Sequence, residues 1–288
     1  MTDNPLVQLS AALASAVETA ARSVVTVHAR QRVSSSGTIW QPGVVVTAAH
    51  TIETEDIAVT LPDGRQVKAQ LAGSDGGTDI SVLRVEADLP ALTPAENPAG
   101  VGSLALAVAR PEHLSATMGV ISHWGGAWRS WSGGRLDALI RADLTLYPGF
   151  SGGPLIGADG TLLGINTSGL TRGLPVAVPA ATVKRVADQL LKHGRVARGY
   201  LGVGLQPVRL NEDQAGLVVV SLEPEGPAAK AGVIVGDVLT AIAGKPVQEH
   251  GAVRSALDSD SIGKPVEVSL LRGGQPQTVS VTVGERGE

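Results

Sequence analysis

The sequence predicts a mainly β chain: two barrel-sized groups of short strands followed by a small α+β domain. Three observations predict it. The 288 residues include 36 glycines at 43% hydrophobic content, a composition suited to short strands joined by tight turns. From Val24 to Val178 the apolar residues come in β-branched runs, each closed by turn formers, the spacing of barrels and sandwiches. At Pro179 the apolar spacing becomes helical, and a mixed pattern follows it to the end of the chain.

At the N-terminus, Leu6, Leu9, Leu13 and Val17 recur at helical spacing, which predicts a short amphipathic helix over residues 1–21 packed on the next domain. Asp3 stands where a secretory leader needs positive charge, and the first basic residue is Arg22, so no export signal or membrane anchor is read there and a cytoplasmic protein is expected. The first strand group comprises runs 24–29, 37–40, 44–47, 57–61, 67–71 and 80–85, with the Asp63-Gly64 pair as a hairpin turn. The second comprises 103–109, 117–123, 136–141, 154–156, 162–166 and 175–178. Pro179 then opens a helix whose Val183, Val186, Ala187, Leu190 and Leu191 share a face and which Gly194 ends. The predicted domains are 22–194 and 195–288. The second holds the strands around "GYLGVGLQPV", "GLVVVSL" and "DVLTAIAG", helices at "GPAAKAG" and 250–259, and final strands 266–272 and 277–283.

A net charge of -4 offers no basic field for nucleic acid. The absence of cysteine excludes disulfides, thiolate catalysis and cysteine-held zinc.

Three stretches carry chemistry. "VVVTAAH" runs a strand into His50, "GSDGGTDISVLRV" begins a strand at Asp79, and "GFSGGP" holds Ser151 on a glycine turn. A serine hydroxyl needs a base to take its proton, neutral histidine suits that task, and a carboxylate fixes the imidazole and stabilises its charged form. Gly149 and the glycines after Ser151 let the Gly149 and Ser151 amides converge as an oxyanion hole. Each residue alone is weak, since glycine-flanked serines and strand-end carboxylates are common for conformational reasons. Together, in the order His, Asp, Ser, they match the chymotrypsin-type order and not that of subtilisin or the α/β-hydrolases.

The motifs "GVVVTAAH", "DGGTDISVLRV", "IRADLTLYPGFSGGPL" and "GINTSGL", with "VPAATVKRVADQLLKHGRVARGYLGV" after them, resemble the HtrA/Deg family of trypsin-like serine proteases over nearly the whole chain. The resemblance implies a chymotrypsin-like double β-barrel followed by one PDZ domain. It prefers Asp79 to the nearby Asp75, because the family's catalytic Asp directly precedes the "ISVL" strand. Phe150 departs from the family, which usually has Asn there, and could either fold away or misalign the oxyanion amides. The substrate-binding residues implied are Leu144, Thr145, Asn166, Thr167 and Ser168. No Asp or Glu lies in 144–148 or 166–170, so a small or medium aliphatic P1 residue is expected, an uncharged pocket being unable to repay desolvation of Lys or Arg. Tyr200, Leu201, Gly202 and Val203 resemble the PDZ loop that captures a peptide's C-terminal carboxylate, with Val253 and Leu257 on the opposite wall. Trp124, Trp128 and Trp131 crowd one loop, either as an exposed contact for substrate or a neighbouring domain, or folded inward.

The resemblance implies a serine endopeptidase acting on unfolded or damaged protein, with the PDZ domain binding C-terminal peptides, a homotrimeric assembly, and no metal or organic cofactor. An inactive scaffold or chaperone working through its PDZ domain is the alternative, and a narrow processing protease a third reading. Family members are commonly periplasmic or otherwise extracytoplasmic, which is the alternative to a cytoplasmic location.

Overall fold

The computed structural model describes residues 4–97, 99–171, 175–211, 214–257 and 261–285. Two units meet at the Val196/Ala197 boundary.

The first unit opens with helix α1 (Pro5–Ala21), started by Pro5 and by the Asn4 side chain, which accepts the Leu6 N–H. Leu13 and Val17 pack on the core beside Ala16 and Ala20, but Leu6, Val7 and Leu9 are exposed. The helix therefore docks by its small-residue C-terminal half, whereas the sequence spacing extends the packed face to Leu6.

Six strands close the first barrel: β1 (Val24–His28), β2 (Ser35–Gln41), β3 (Val44–Ala48), β4 (Ile57–Thr60), β5 (Gln66–Asp75) and β6 (Ile80–Val85), ordered β1-β2-β3-β6-β5-β4. Its interior is Val25, Val27, Ile39, Val45, Ile57, Val59 and Leu83. The strand predicted to end at Leu71 runs on to Asp75 through a bulge at Leu71/Gly73. Gly73 is needed there, because a Cβ would lie 2.3 Å from the Gly194 carbonyl oxygen.

The second barrel uses β7 (Leu104–Ala109) and β8 (Ser115–Gly125). Between them and its remaining strands lies a hairpin of β9 (Trp128–Arg129) and β10 (Arg135–Leu136). β11 (Leu139–Asp143), β12 (Pro154–Gly157), β13 (Leu162–Thr167) and β14 (Val176–Pro179) complete the order β11-β14-β13-β12-β7-β8. Helix α2 (Ala180–His193) follows, capped by Gly194 in the left-handed conformation. Its Val183, Val186, Ala187 and Leu190 share one core cluster with Val46, Ile80 and Val82 of the first barrel and Leu162, Ile165 and Val178 of the second. That shared core fixes one barrel against the other.

The second unit contains β15 (Gly199–Tyr200), β16 (Val203–Arg209), β17 (Ala215–Leu222), α3 (Pro227–Lys230), β18 (Val238–Ile242), β19 (Lys245–Pro246), α4 (His250–Ala256), β20 (Pro265–Arg272), β21 (Gln275–Thr282) and β22 (Gly284–Glu285). Its main sheet runs β16-β17-β18-β20-β21, leaving β16 at an edge. The helix predicted over 250–259 ends at Ala256, and its positions 258 and 259 lie outside the described residues. Among the described residues, no helix is long and apolar enough to cross a membrane.

Candidate active site

β3 ends at Ala48, and one 3-10 turn, Ala49–Thr51, carries His50 out of the barrel wall. The Asp79 carboxylate meets it there. Oδ2 lies 2.7 Å from His50 Nδ1, and Oδ1 accepts the His50 backbone N–H at 2.8 Å. The Asp79 backbone oxygen accepts the Ala49 N–H at 3.1 Å. Thr167, the last residue of β13, donates its hydroxyl to Asp79 Oδ2 and accepts the Gly169 N–H at 2.9 Å. The buried carboxylate thus accepts three hydrogen bonds, which offset its loss of water. Gly169 lies over the pair, since a Cβ there would stand 2.6 Å from His50 Nδ1 and 2.7 Å from Asp79 Oδ2.

Ser151 sits on the turn before β12, and the first barrel holds that turn. Ser36 Oγ donates to the Gly149 carbonyl at 2.7 Å, Ser36 N donates to the Ser151 carbonyl at 3.1 Å, and Thr38 Oγ1 donates to the Gly152 carbonyl at 2.9 Å. From β13, the Asn166 carbonyl accepts the Gly152 N–H at 2.9 Å. Gly149 has φ +89, and a Cβ would meet Pro111 Cβ at 2.4 Å; Gly152 has φ +88, and a Cβ would meet the Ser36 oxygen at 2.0 Å. Both positions require glycine twice over, for conformation and for space. Among the described residues, the N–H groups of Gly149 and Ser151 donate to no acceptor, which leaves both available for a negative oxygen. Ser151 Oγ lies 3.3 Å from Ser168 Oγ, its one hydrogen-bond partner among the described residues.

Phe150 is turned away from the cleft. It is buried in the second barrel with Ile121, Ile140, Leu155, Leu163 and Ala177, and its ring meets Tyr147 edge-on at 5.9 Å. Its backbone N–H bonds the Tyr147 carbonyl at 3.1 Å.

The other singled-out residues are placed as follows. Leu144 packs on the second barrel's interior cluster, and the Thr145 carbonyl accepts the Thr117 hydroxyl at 2.8 Å. The Asn166 backbone is taken by Gly152 and Gly153, and its side chain is buried opposite Ala177 with Nδ2 unpartnered among the described residues. Ser168 is exposed, while Thr167 is buried with its hydroxyl committed to Asp79. Asp75 does not reach His50: its carboxylate accepts the N–H groups of Gly77 and Thr78 at 3.2 and 3.0 Å and the Thr78 hydroxyl at 2.7 Å. The tryptophans divide: Trp128 packs on the core and donates to the Ala138 carbonyl at 3.1 Å, Trp124 packs on the second barrel, and Trp131 is 82% exposed. In the second unit, Tyr200 pairs with Gly284, Leu201 is buried with Val253 and Leu257, and Val203 begins β16. Gly202 has φ +76, and the N–H groups of Leu201 and Gly202 donate to nothing among the described residues.

Sequence reasoning missed Ser36, Thr38 and the bond from Thr167 to Asp79. The available signal was polar: Ser35, Ser36 and Thr38 lie in a short run that the fold buries.

Comparison with known proteins bears on the fold and the family. Residues 35–165 match the family described as trypsin-like peptidase domain, and 199–283 match the PDZ domain. A probable periplasmic serine endoprotease, DegP-like, of Halomonas elongata is 37% identical over 273 residues, 89% of this chain and 57% of its own length. Protease Do-like 1, chloroplastic, of Arabidopsis thaliana is 34% identical over 279 residues, 87% of this chain and 63% of its own. This chain thus spans less than two thirds of those relatives. Among solved structures, the serine endoprotease from Yersinia pestis has 31% identity and TM-score 0.74, covering 96% of this chain and 98% of that one. An HtrA-type protease, AlgW with tripeptide, has 31% identity and TM-score 0.71 over the same shares. A chymotrypsin-like double barrel, a following PDZ domain and relatives of this kind together place the chain in the HtrA/Deg family of trypsin-like serine proteases.

Proposed function

We propose that the chain is a serine endopeptidase that cleaves unfolded or damaged proteins, with a PDZ domain that binds their C-terminal peptides. One observation carries the reading: His50 is held by a buried, triply bonded Asp79 beside a nucleophile turn whose two oxyanion amides are open. Ser151 Oγ attacks the scissile carbonyl carbon and passes its proton to His50 Nε2. Asp79 holds the ring by Nδ1 and stabilises the imidazolium. The tetrahedral oxygen takes its charge between the Gly149 and Ser151 amides, and each such donor accounts for about 10²- to 10³-fold in turnover. The intermediate collapses as His50 returns the proton to the leaving amine. Water then releases the acyl group by the same steps. Before attack, the Ser151 hydroxyl turns from Ser168 to His50; such bonds are often long in free enzymes and tighten around substrate.

The uncharged lining between Leu144 and Pro148 and between Asn166 and Leu170 supports a small or medium aliphatic P1 residue. In the PDZ domain, the open amides of Leu201 and Gly202 supply donors for a terminal carboxylate, and edge strand β16 can accept an added peptide strand. A periplasmic location replaces the cytoplasmic expectation, supported by relatives named as periplasmic. A homotrimer is the assembly proposed, on the family resemblance.

A fluorophosphonate probe tests the chemistry. Wild type is expected to label and Ser151→Ala not to. Absence of labelling in the wild type, with peptide binding intact, would leave a PDZ scaffold instead. Degradation of unfolded casein separates broad quality control from narrow processing.

A further inference from the structure

We infer that the β9–β10 hairpin is a clamp that presents Asp79 to His50, with Ser130 and Gly134 as positioning residues; this rests on the His50, Asp79 and Ser151 reading above. Asp79 and Ala243 are the only non-glycine residues with positive φ among those described, Asp79 at +58. That conformation is uphill for an L-residue, though least so for Asp and Asn, and it persists where the surroundings impose it. The 75–79 turn is tied from within by Asp75, through Gly77 and Thr78.

A second set of ties arrives from a distant part of the chain. Ser130, 7% exposed, donates its hydroxyl to the Gly77 carbonyl at 2.6 Å, and Ser130 Oγ in turn accepts the Gly134 N–H at 3.2 Å. Ser130 and Gly134 also pair by backbone, N–H to carbonyl at 3.0 Å. Gly134 lies flat on the Gly77–Thr78 peptide: a Cβ there would stand 2.1 Å from the Gly77 carbonyl carbon and 2.6 Å from the Thr78 nitrogen. Any side chain at 134 must push Thr78, and Asp79 is the next residue. The hairpin can bear that load because it is rooted in the core, with Leu136 fully buried and Trp128 packed and bonded to Ala138. Trp131 at its tip is exposed and is no part of the clamp.

The two barrels keep their cores without these contacts, so loosening the clamp leaves the fold and frees the carboxylate. Displacing Asp79 disturbs three bonds to Ala49 and His50 at once.

The test uses the full chain with Ser130→Ala, Gly134→Ala and, as a control, Trp131→Ala. Hydrolysis of the p-nitrophenyl ester of acetyl-valine gives kcat and KM. The far-downfield proton NMR signal of the His50 Nδ1–H bond to Asp79 reports the pair without catalysis. Both clamp variants should lose about 10- to 100-fold in kcat at unchanged KM and broaden or lose the downfield signal, while Trp131→Ala keeps both. Wild-type kcat in both clamp variants, or a fall in kcat with the signal intact, overturns the clamp. So does an equal loss in Trp131→Ala. Phosphonate labelling that survives Ser151→Ala would instead overturn the triad reading on which it rests.

Discussion

Replacing Phe150 by alanine is the most direct probe of how the nucleophile turn is supported. The side chain is 3% exposed and fills the second barrel beside Ile121, Ile140, Leu155 and Leu163. Truncating a buried phenylalanine costs about 3–5 kcal/mol, of which the edge-on contact with Tyr147 accounts for about 0.5–1.5 kcal/mol. Its other neighbours in that cluster include Ala105, Ala107, Ala109 and Ala177. Such short side chains on a closed barrel cannot collapse into the gap, so the upper part of that range applies. Urea unfolding followed by tryptophan fluorescence measures it cleanly, because all four tryptophans lie between residues 40 and 131 and the PDZ domain is silent. With a slope of about 1–3 kcal/mol per molar urea, the midpoint should fall by about 2 M. Tyr147→Ala, which removes a ring that is 59% exposed, should cost only about 1 kcal/mol. A loss below about 1 kcal/mol for Phe150→Ala, or an equal loss for Tyr147→Ala, would refute the placement of the ring as a core element.

Three further outcomes follow from the same contacts. Thr167→Val removes the donor to Asp79 and the acceptor of the Gly169 N–H; a bond to a charged group is worth about 1.5–3 kcal/mol, so kcat should drop about 10- to 100-fold in ester hydrolysis. Gly152→Ala drives a Cβ to within 2.0 Å of the Ser36 oxygen at a φ of +88, and phosphonate labelling should slow by about 100-fold or more. In the PDZ domain, the Asp237 carboxyl is held below the usual carboxylate range, first by its hydrogen bonds from Arg272 and then by the Ile234 N–H. Its contribution to stability is therefore complete above about pH 4 and is lost as the pH falls through the lowered folded value. Arg272→Ala should destabilise the domain at neutral pH and flatten that acid decline, read from the PDZ transition in calorimetry of the full chain; a decline as steep as wild type would count against the pair.

Local pattern carried the elements and failed where contacts span the chain. The β-branched runs, the Asp63-Gly64 turn and the segment from Pro179 to Gly194 are legible because each states its conformation within a few residues. The direction of Phe150 is not legible, since one aromatic residue on an irregular turn has no periodicity to place it on a face. The same holds for the hydroxyls of Ser36, Thr38 and Ser130, whose partners lie 113, 114 and 53 residues away. Spacing alone also overextends the packed face of α1 to Leu6 and Leu9, because helical periodicity records amphipathic character without recording how far the neighbouring surface reaches. At the site, motif order singles out His50, Asp79 and Ser151, and the structure sets Asp79 against His50 while turning the Ser151 hydroxyl toward Ser168. Rotation about a single serine side-chain bond leaves no trace in a sequence.

The grip of Ser36 on both sides of the nucleophile has a consequence for the timing of biosynthesis. His50 and Asp79 leave the ribosome with the first barrel, but the turn bearing Ser151 comes later and takes part of its hold from strand β2 across the interface. A half-made chain therefore holds His50 and Asp79 without the serine proposed as their partner. The proposed catalytic apparatus is complete only once the second barrel has been made and has docked on the first.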